Sequence, residues 1–384
     1  MSTAQVTRLN VMKPWLGADE VAAVTEVIES GWVAQGPKVA AFERAFAETM
    51  QAGDAVAVSN CTTALHLALV VAGIGPGDDV VVPSFSFIAT SNAPTYVGAR
   101  PVFADVDAAT GNVTAGTLAA ALTPATRAVI IVDQGGVPVE LGPIRALCDP
   151  KGIVVIEDAA CGAGSSYDGR PVGAGAELAT WSFHPRKILT TGEGGMLTTS
   201  NPEWAARARR LREHSMSVSA ADRHASLVSP AEEYGEIGFN YRMTDLQAAV
   251  GLVQLGKLAE VVERRRANAA RYRELLSGVP GIRLVDDPAW GTSNFQSLWL
   301  EVAPEYPLDR EALLLALAEA GISARRGIMA AHRQPAYADR DTGGAPLPIT
   351  EQLTDRTLIL PLFHQLTGEE LERVARVIRE AGER

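Results

Sequence analysis

Short, strongly apolar segments alternate with helical segments up to about residue 240, and this alternation is the strongest constraint on the fold. The apolar segments share a content rich in Val, Ile and Ala, and they are 55–59, 80–83, 101–104, 128–132 and 153–157. Segments of helical character, such as 63–71 and 141–149, separate them. Continuous apolar strands that alternate with helices are typical of a mostly parallel sheet covered on both faces. The pattern therefore predicts an α/β fold.

The pattern changes after residue 243. Residues 244–276 have apolar side chains at a period close to 3.6 and a later half rich in Arg and Glu, which predicts one long helix with a solvated face. Short strands and helices then start again. Because 384 residues exceed one typical core, we predict a large domain over 1–243, a bridging helix over 244–276 and a smaller α+β domain over 277–384.

Charge and cysteine content exclude several classes of protein. The chain has 34 Lys and Arg against 45 Asp and Glu, a net charge of −11, so it would repel nucleic acid and anionic membranes. An anionic substrate must therefore meet a local positive site. No apolar run approaches the roughly 18 residues that a membrane span needs, and residues 1–15 lack an apolar signal segment. Three cysteines without zinc-site spacing predict reduced thiols, no metal and a cytoplasmic protein.

Lys187 has surroundings unlike those of the other four lysines. It lies in SFHPRKILTTGEGG (182–195), between a strand-like segment and a Thr/Gly turn. A lysine enclosed by apolar groups loses hydration, so its pKa falls. A neutral amine can then attack a carbonyl group and form a Schiff base. The alternative is an exposed loop lysine, and this segment alone does not decide between the two.

Three other segments have features that suit a flat, phosphorylated ring, each with a purely structural alternative. Asp158 ends a buried strand, where its carboxylate could pair with a ring nitrogen or cap a turn. The segment 59–67 (SNCTTALHL) opens a helix, whose first N–H groups could bind a phosphate or simply be capped. Phe85 and Phe87 end another strand and could stack on the ring or pack in the core.

Taken together, these features are a Schiff-base lysine, a carboxylate for a ring nitrogen, a phosphate site and an aromatic plate. Pyridoxal phosphate (PLP) requires this set. Competing motifs lack support. The Gly-Ala-Gly sequences at 162–164 and 173–175 have no third glycine at the spacing of a dinucleotide-binding loop. A hydrolase nucleophile elbow and a phosphate-binding P-loop motif are also absent from the sequence.

Eight segments occur in an order and at a spacing that match one protein family: 30–43, 59–69, 82–93, 155–165, 182–195, 238–251, 332–337 and 360–367. Through them the sequence resembles the DegT/StrS family of PLP-dependent nucleotide-sugar aminotransferases, from about Asn10 to the C-terminus. The resemblance implies the PLP-dependent transferase fold type I. This fold has a mostly parallel central sheet in a large domain and a smaller α+β C-terminal domain.

The resemblance also implies roles for individual residues. Lys187 matches the lysine that binds PLP covalently, and Asp158 matches the carboxylate at the ring nitrogen. Phe87 matches the aromatic residue that stacks on the ring. The phosphate ligands and their neighbours in the same turn are Thr62, Ser182, Cys61 and Thr63.

Other positions lie on the substrate side or at the subunit boundary. Asn240 matches an amide that reaches the phosphate of the neighbouring subunit's cofactor, although it could instead belong to a loop capped by Thr244. His184 and Glu193 match positions that line the substrate side. Arg326, together with Arg325, is expected from charge alone to hold a diphosphate.

Three segments depart from the family pattern. The usual Ser-Gly-Thr is Asn60-Cys61-Thr62, and the usual Gln beside the cofactor ring is Cys161. A stretch that usually reads His-Leu-Tyr-Gly is here Asp-Gln-Gly-Gly, residues 133–136. Relatives that remove a sugar hydroxyl carry His at the position of Lys187, so the lysine favours amine transfer.

The resemblance thus implies a homodimeric aminotransferase with shared active sites. It would move an amino group from L-glutamate or L-glutamine to a keto-sugar nucleotide, in amino-sugar, natural-product or polysaccharide biosynthesis. A cyclitol or another small ketone is an alternative acceptor. A PLP-binding regulator without turnover and a sugar-binding structural subunit are alternatives from other classes. Lys187, Asp158 and Phe87 favour the enzyme, because a binding module has no use for a proton-shuttling amine.

Overall fold

The structure is a computed structural model that describes residues 8–218 and 231–383. Up to residue 218 the helices and strands are α1 (Ala18–Ser30), α2 (Pro37–Thr49), β1 (Asp54–Val58), α3 (Cys61–Val71), β2 (Asp79–Pro83), α4 (Ile88–Tyr96), β3 (Arg100–Ala104), α5 (Ala115–Ala121), β4 (Thr126–Val132), α6 (Leu141–Cys148), β5 (Val154–Asp158), β6 (Ser166–Tyr167), β7 (Arg170–Pro171), β8 (Leu178–Ser182), β9 (Gly195–Thr199) and α7 (Pro202–Leu211). From residue 231 they are α8 (Asp245–Leu275), β10 (Ile282–Leu284), β11 (Gly291–Thr292), β12 (Trp299–Val302), α9 (Arg310–Glu319), β13 (Arg325–Arg326), α10 (Pro348–Arg356), β14 (Thr357–Ile359) and α11 (Gly368–Gly382).

Within these residues, seven strands form a central sheet in the order β1-β9-β8-β5-β4-β2-β3. Strand β9 runs antiparallel to both β1 and β8, and the other neighbouring pairs are parallel. The predicted α/β fold with a mostly parallel sheet is therefore confirmed. The carboxyl ends of β1, β2, β4, β5 and β8 meet at one edge of the sheet, and β9 begins there. We call this the carboxyl edge.

A second sheet of four antiparallel strands, β10-β12-β14-β13, follows the long helix. Helix α8 begins after Thr244, whose side chain accepts a hydrogen bond from the N–H of Gln247. The predicted bridging helix at 244–276 thus agrees with the structure to within one residue at each end. The division into domains at 243 and 276 stays a prediction, because one apolar core includes residues from both sheets. Parts of the first predicted domain, 1–7 and 219–230, lie outside the described residues.

Arg265 links α8 to the segments around it. Its side chain is fully buried, and its guanidinium donates to the backbone carbonyls of Phe295, Gln296 and Leu362 at 2.6 to 3.1 Å. Burial lowers the pKa of Arg265 to about 9. Phe295 has a φ of 49°, a left-handed conformation that is unfavourable for a residue with a Cβ. The hydrogen bonds from Arg265 hold Phe295 in that conformation.

None of the helices in the described ranges combines the length and the apolar character that crossing a bilayer requires.

We predict that Arg265→Ala destabilises the protein strongly. The substitution leaves three buried carbonyl oxygens without their donor, and each costs about 1 to 3 kcal/mol. We therefore expect the free energy of unfolding to fall by about 3 kcal/mol or more, measured by urea denaturation. The matched control is Arg264→Ala, one residue earlier on α8, because the Arg264 side chain is half exposed and its ion pair with Glu260 stabilises by about 1 kcal/mol at most. Equal unfolding midpoints for the two variants would contradict the role of Arg265.

Candidate active site

A cavity of about 730 Å3 opens at the carboxyl edge. Ten of the twelve predicted site residues line it: Cys61, Thr62, Thr63, Phe87, Asp158, Cys161, Ser182, His184, Lys187 and Glu193. They come from α3, from the loop before α4, from the ends of β5 and β8 and from the segment between β8 and β9. Asn240 and Arg326 are not among the cavity residues in the described part of the chain. The fold therefore brings together side chains that are up to about 130 residues apart in sequence.

Asp158 is held at the last position of β5 by donors that the sequence analysis missed. One carboxylate oxygen accepts from the Thr90 hydroxyl at 2.8 Å, and the other accepts from the N–H of Ala160 at 3.2 Å. Burial raises the pKa of Asp158, and the hydrogen bond from Thr90, the charge of Lys187 and the N–H of Ala160 partly offset that rise. Both hydrogen bonds fix the carboxylate in one orientation toward the cavity.

Lys187 lies next to a thiol. Its Nζ atom is 3.1 Å from the Sγ atom of Cys161. Burial alone would lower the pKa of Lys187, but Cys161, Cys61 and the Asp158 carboxylate outweigh burial and raise it. The sequence-based expectation of a lowered pKa is therefore wrong for this lysine, because burial here comes with groups that carry or can acquire negative charge.

Gln296 fixes the backbone on both sides of Lys187. Its side-chain carbonyl accepts from the N–H of Ile188 at 2.8 Å, and its side-chain amide donates to the carbonyl of Arg186 at 2.7 Å. The sequence analysis missed Gln296, because a single glutamine more than one hundred residues away carries no local signal. The lysine thus depends on a residue beyond α8 for its position.

The N-terminus of α3 faces the cavity. Asn60 caps the helix by accepting from the N–H of Thr63 at 2.9 Å. The N–H groups of Cys61 and Thr62 belong to the first turn, where they have no partner inside the helix. A Cβ atom at Gly195 would lie 2.4 Å from the carbonyl carbon of Asn60, so only glycine lets β9 lie this close to the start of α3. The result is a group of N–H and hydroxyl donors suited to an anion.

Phe85 and Phe87 separate into two roles. Phe85 is 2% exposed and packs in the core, whereas Phe87 is 68% exposed and lines the cavity. The sequence left open whether each Phe stacks on a ring or packs in the core. The structure places Phe85 in the core and Phe87 at the cavity. The exposed ring of Phe87 offers a flat apolar surface inside a cavity, which suits stacking on another ring.

These groups fit PLP. The cavity holds a lysine amine, a buried carboxylate, an exposed aromatic ring and a helix N-terminus beside the hydroxyls of Thr62 and Ser182. A phosphate suits the helix N-terminus, and a protonated ring nitrogen suits the carboxylate. No cluster of metal-binding side chains occurs among residues 8–218 and 231–383.

Two arginines lie at the cavity wall. Arg186 and Arg325 both line the cavity, and burial followed by the positive charge of Arg186 lowers the pKa of Arg325. In the part of the chain that the structure describes, neither forms an ion pair. Arg326, the expected ligand, instead donates two hydrogen bonds to the Glu311 carboxylate, at 2.9 and 2.6 Å. The structure therefore brings Arg325, and not Arg326, to the cavity.

His184 and Glu193 also line the cavity, and they lie close to each other. The Nε2 atom of His184 is 4.0 Å from a carboxylate oxygen of Glu193. Burial lowers the pKa of His184, and Glu193 partly offsets the fall. His184 is thus a neutral imidazole near neutral pH, able to donate or accept a hydrogen bond.

Asn240 lies apart from the cavity of its own chain. It is exposed and pairs through a single β-bridge with Glu213. Two large apolar side chains of the same segment are also exposed, Tyr234 at 58% and Ile237 at 91%. This segment is therefore an exposed, partly apolar surface next to the start of α8.

Two more carboxyl groups lie behind Asp158. Asp133 and Glu157 are both buried, and one oxygen of each has no hydrogen-bond partner among the described residues. Burial raises the pKa of Glu157 to about 7, and a backbone N–H of Gly173 partly offsets the rise. Burial, Glu157 and Asp158 together raise the pKa of Asp133. The pair therefore retains a proton at pH values where ordinary carboxyl groups are ionised.

The chain is similar to known proteins along almost its whole length. The sequence matches the family model of the DegT/DnrJ/EryC1/StrS aminotransferases over residues 14–379. A dTDP-4-dehydro-2,3,6-trideoxy-D-glucose 4-aminotransferase of Saccharopolyspora spinosa is 39% identical, over 98% of this chain and 97% of that protein.

Solved structures are similar over almost the whole chain. The aminotransferase TlmJ from Streptoalloteichus hindustanus is 39% identical with a TM-score of 0.89, over 97% of this chain and 98% of that one. A Streptococcus pneumoniae protein assigned as a sugar aminotransferase, solved in its PLP-form, is 26% identical with a TM-score of 0.90, over 98% and 99% of the two chains.

We predict that Glu157→Gln flattens the pH dependence of stability. In the unfolded chain Glu157 titrates near 4.5, whereas in the folded protein it titrates near 7. Between these values the folded state holds the extra proton, so the free energy of unfolding falls as pH rises, by up to about 1.4 kcal/mol per pH unit. Urea denaturation between pH 5 and 7.5 should show a smaller fall for Glu157→Gln. Glu263→Gln, an exposed position on α8, serves as control, and a Glu157→Gln curve parallel to it would refute the proton retained by Glu157.

Proposed function

The chain belongs to the DegT/DnrJ/EryC1/StrS aminotransferase family, and we propose that it transfers an amino group to the ketone of a nucleotide-linked sugar. It is an aminotransferase, and its cofactor is PLP. One observation carries the proposal: Lys187 and Asp158 share a cavity whose wall also holds Arg186 and Arg325, two arginines without ion pairs in the described ranges. The Saccharopolyspora spinosa relative, by its name, acts on a dTDP-linked keto-sugar, which supports the same substrate class here.

We assign the cofactor-binding groups by their chemistry. Lys187 would bind PLP covalently, and Asp158 would accept a hydrogen bond from its ring nitrogen. Phe87 would stack on the ring, with Cys161 beside it. The phosphate would lie at the N-terminus of α3, on the hydroxyls of Thr62 and Ser182 and beside Cys61 and Thr63. When bound, PLP supplies an aldehyde that bonds to amines and a ring that accepts electrons from the neighbouring carbon.

Asp158 supplies the charge that the ring nitrogen needs. Thr90 and the N–H of Ala160 donate to its carboxylate, and both stabilise the ionised form against burial. An ionised Asp158 carboxylate would keep the ring nitrogen of bound PLP protonated, which would strengthen the ring's attraction for electrons. Asp158 therefore increases the acidity of the donor's α-carbon without itself contacting that carbon.

Lys187 moves the protons. Once its amine is free, Nζ is the base that takes a proton from the α-carbon of the donor, L-glutamate or L-glutamine. In the second half of the cycle it delivers a proton to the carbon that was the ketone carbon of the sugar. Gln296 holds the backbone of Arg186 and Ile188, so the amine stays directed into the cavity during both transfers.

Arg186 and Arg325 would bind the diphosphate of the acceptor. A chain with a net charge of −11 repels a nucleotide sugar unless the substrate meets a local positive site. Two guanidinium groups without carboxylate partners provide that site, and they form strong hydrogen bonds with phosphate oxygens. His184 and Glu193 would contact the sugar on the same side. A cyclitol or another small ketone has no diphosphate and would leave both arginines unused.

We predict that the PLP-loaded protein aminates dTDP-4-dehydro-2,3,6-trideoxy-D-glucose with L-glutamate or L-glutamine. It should not aminate the same sugar without its nucleotide, nor a cyclitol ketone. Lys187→Ala should have no activity. Arg325→Met should raise KM for the nucleotide sugar about ten-fold or more, with a smaller change in kcat, because charge-assisted hydrogen bonds contribute about 1.5 to 3 kcal/mol.

Arg326→Met is the matched comparison, because Arg326 is engaged with Glu311 away from the cavity. Product formation and KM are followed by chromatography and mass spectrometry. A larger rise in KM for Arg326→Met than for Arg325→Met would reverse the assignment of the diphosphate ligand. A preference for the cyclitol ketone would identify a different class of acceptor. If the protein turned over none of the ketones, the alternative function, a PLP-binding regulator, would be favoured.

We further propose a cytoplasmic homodimer with shared active sites. Tyr234 and Ile237 leave apolar surface exposed, which a second copy of the chain would bury. Asn240 on the same segment would then donate its side-chain amide to the phosphate in the partner's cavity. A two-fold axis makes this exchange reciprocal, so both sites are completed together.

Mixed dimers test this arrangement. Lys187→Ala and Asn240→Ala dimers should each be impaired. After subunit exchange, half of the dimers are mixed, and each has one intact site and one site with both substitutions. The mixture should therefore recover about a quarter of the wild-type rate. If Asn240 serves its own chain, every mixed site carries one substitution and mixing restores no activity. Sedimentation measures the fraction of dimers in parallel.

A further inference from the structure

Two thiols lie in the cofactor cavity, and the mechanism above uses the chemistry of neither. The Sγ atom of Cys161 is 3.1 Å from Nζ of Lys187, and the Sγ atom of Cys61 is 3.9 Å from a carboxylate oxygen of Asp158. Both line the cavity, whereas Cys148 is buried in the apolar core. All three are free cysteines.

The two cavity thiols differ in their surroundings. Burial, followed by the charge of Asp158, raises the pKa of Cys61 well above its usual value, so Cys61 stays protonated and inert near neutral pH. Cys161 differs in its neighbour, because the Lys187 amine donates to its sulfur at 3.1 Å. Cys161 is partly exposed to the cavity, so a small oxidant reaches it.

We propose that Cys161 and Lys187 form a reversible sulfur–nitrogen bond when the protein meets a peroxide. The pair is thus a redox-sensitive modification site at the lysine that binds the cofactor. This inference depends on the contact between Nζ of Lys187 and Sγ of Cys161, and it does not depend on which ketone is the acceptor substrate.

The chemistry balances in two steps. The Cys161 sulfur attacks hydrogen peroxide, the O–O bond breaks, an S–O bond forms and one water leaves; the sulfur is oxidised to a sulfenic acid and the peroxide is reduced. The Lys187 amine then attacks that sulfur, the S–O bond breaks and the oxygen leaves as a second water with a proton from the nitrogen. Two equivalents of an added thiol reverse the bond, which regenerates the amine and the Cys161 thiol and leaves the disulfide of the reductant.

Lys187 is the partner that the geometry selects. Its amine already lies within 3.1 Å of the sulfur, whereas Cys61 is protonated and positioned against Asp158. The bond would occupy the amine that PLP needs, so the oxidised protein cannot bind its cofactor covalently. Conversely, PLP on Lys187 would protect the amine, and the site would be most sensitive when the amine is free.

The test follows the mass of the protein. Three samples of PLP-loaded protein receive hydrogen peroxide. One has no pretreatment, one is first incubated with L-glutamate, and one is first incubated with hydroxylamine, which removes PLP from Lys187 whichever amino acid is the natural donor. Free thiols are then blocked with N-ethylmaleimide. We expect a product that carries one N-ethylmaleimide group fewer than untreated protein and is about 2 Da lighter than an unlinked chain with the same number of these groups, with a link between the peptide of Cys161 and a peptide containing Lys187. This product should form at least ten-fold faster in the two samples pretreated with L-glutamate or hydroxylamine, and dithiothreitol should reverse its formation.

Variants separate this bond from other oxidation products. Cys161→Ser should abolish the linked product, whereas Cys61→Ser and Cys148→Ser should keep it. A Cys61–Cys161 disulfide in the peptide map, or loss of the product in Cys61→Ser, would overturn the proposal. So would stepwise oxygen addition at Cys161 without a link. The peptide map of the wild-type protein decides among these products even if a variant fails to fold.

Discussion

The burial of one arginine organises the region around the cavity. Arg265 lies in the middle of the long helix and satisfies the carbonyls of Phe295, Gln296 and Leu362, so it joins three distant parts of the chain. Its hydrogen bonds offset the strain of the left-handed Phe295, and they hold the backbone of the next residue, Gln296. The Gln296 side chain in turn bonds to the backbone on both sides of Lys187. The position of the Lys187 backbone therefore depends on a buried guanidinium that lies outside the cavity lining.

Three buried carboxyl groups lie close together at the carboxyl edge, and they differ in how well their surroundings stabilise a negative charge. Asp133, Glu157 and Asp158 lie at the ends of the neighbouring strands β4 and β5, and all three are buried. Three ionised carboxylates cannot be buried together at low cost. Asp158 has hydrogen-bond donors that stabilise its charge, whereas Asp133 and Glu157 each have an oxygen without a donor in the described ranges and so retain a proton. The negative charge is therefore placed on the carboxylate that faces the cavity.

The arginines near the cavity also differ in whether a carboxylate neutralises them. Arg325 and Arg326 are neighbours on the short strand β13, so their side chains point to opposite faces. Glu311 neutralises Arg326, whereas Arg325 joins Arg186 at the cavity. In an acidic chain, a charge left unneutralised at a cavity wall is the feature that selects an anionic ligand. The proposed bond between Cys161 and Lys187 likewise depends on a contact that only the fold creates.

The sequence by itself determined the elements and the residues whose signals are local. Each of the five predicted strands overlaps an observed one, and the long helix agrees closely, because both follow from apolar periodicity within a few residues. Local sequence marked Lys187, Asp158 and the start of α3 only as candidates, each with a structural alternative, and their combination and the family resemblance gave them roles. The structure places all three at one cavity. Tertiary structure alone decided which side chains support them. Thr90, Gln296 and Arg265 act across large sequence separations, and the choice of Arg325 over Arg326 depends on the position of Glu311. The raised pKa of Lys187 likewise depends on charges brought close by folding, because electrostatic interactions follow distance in space and not distance along the chain.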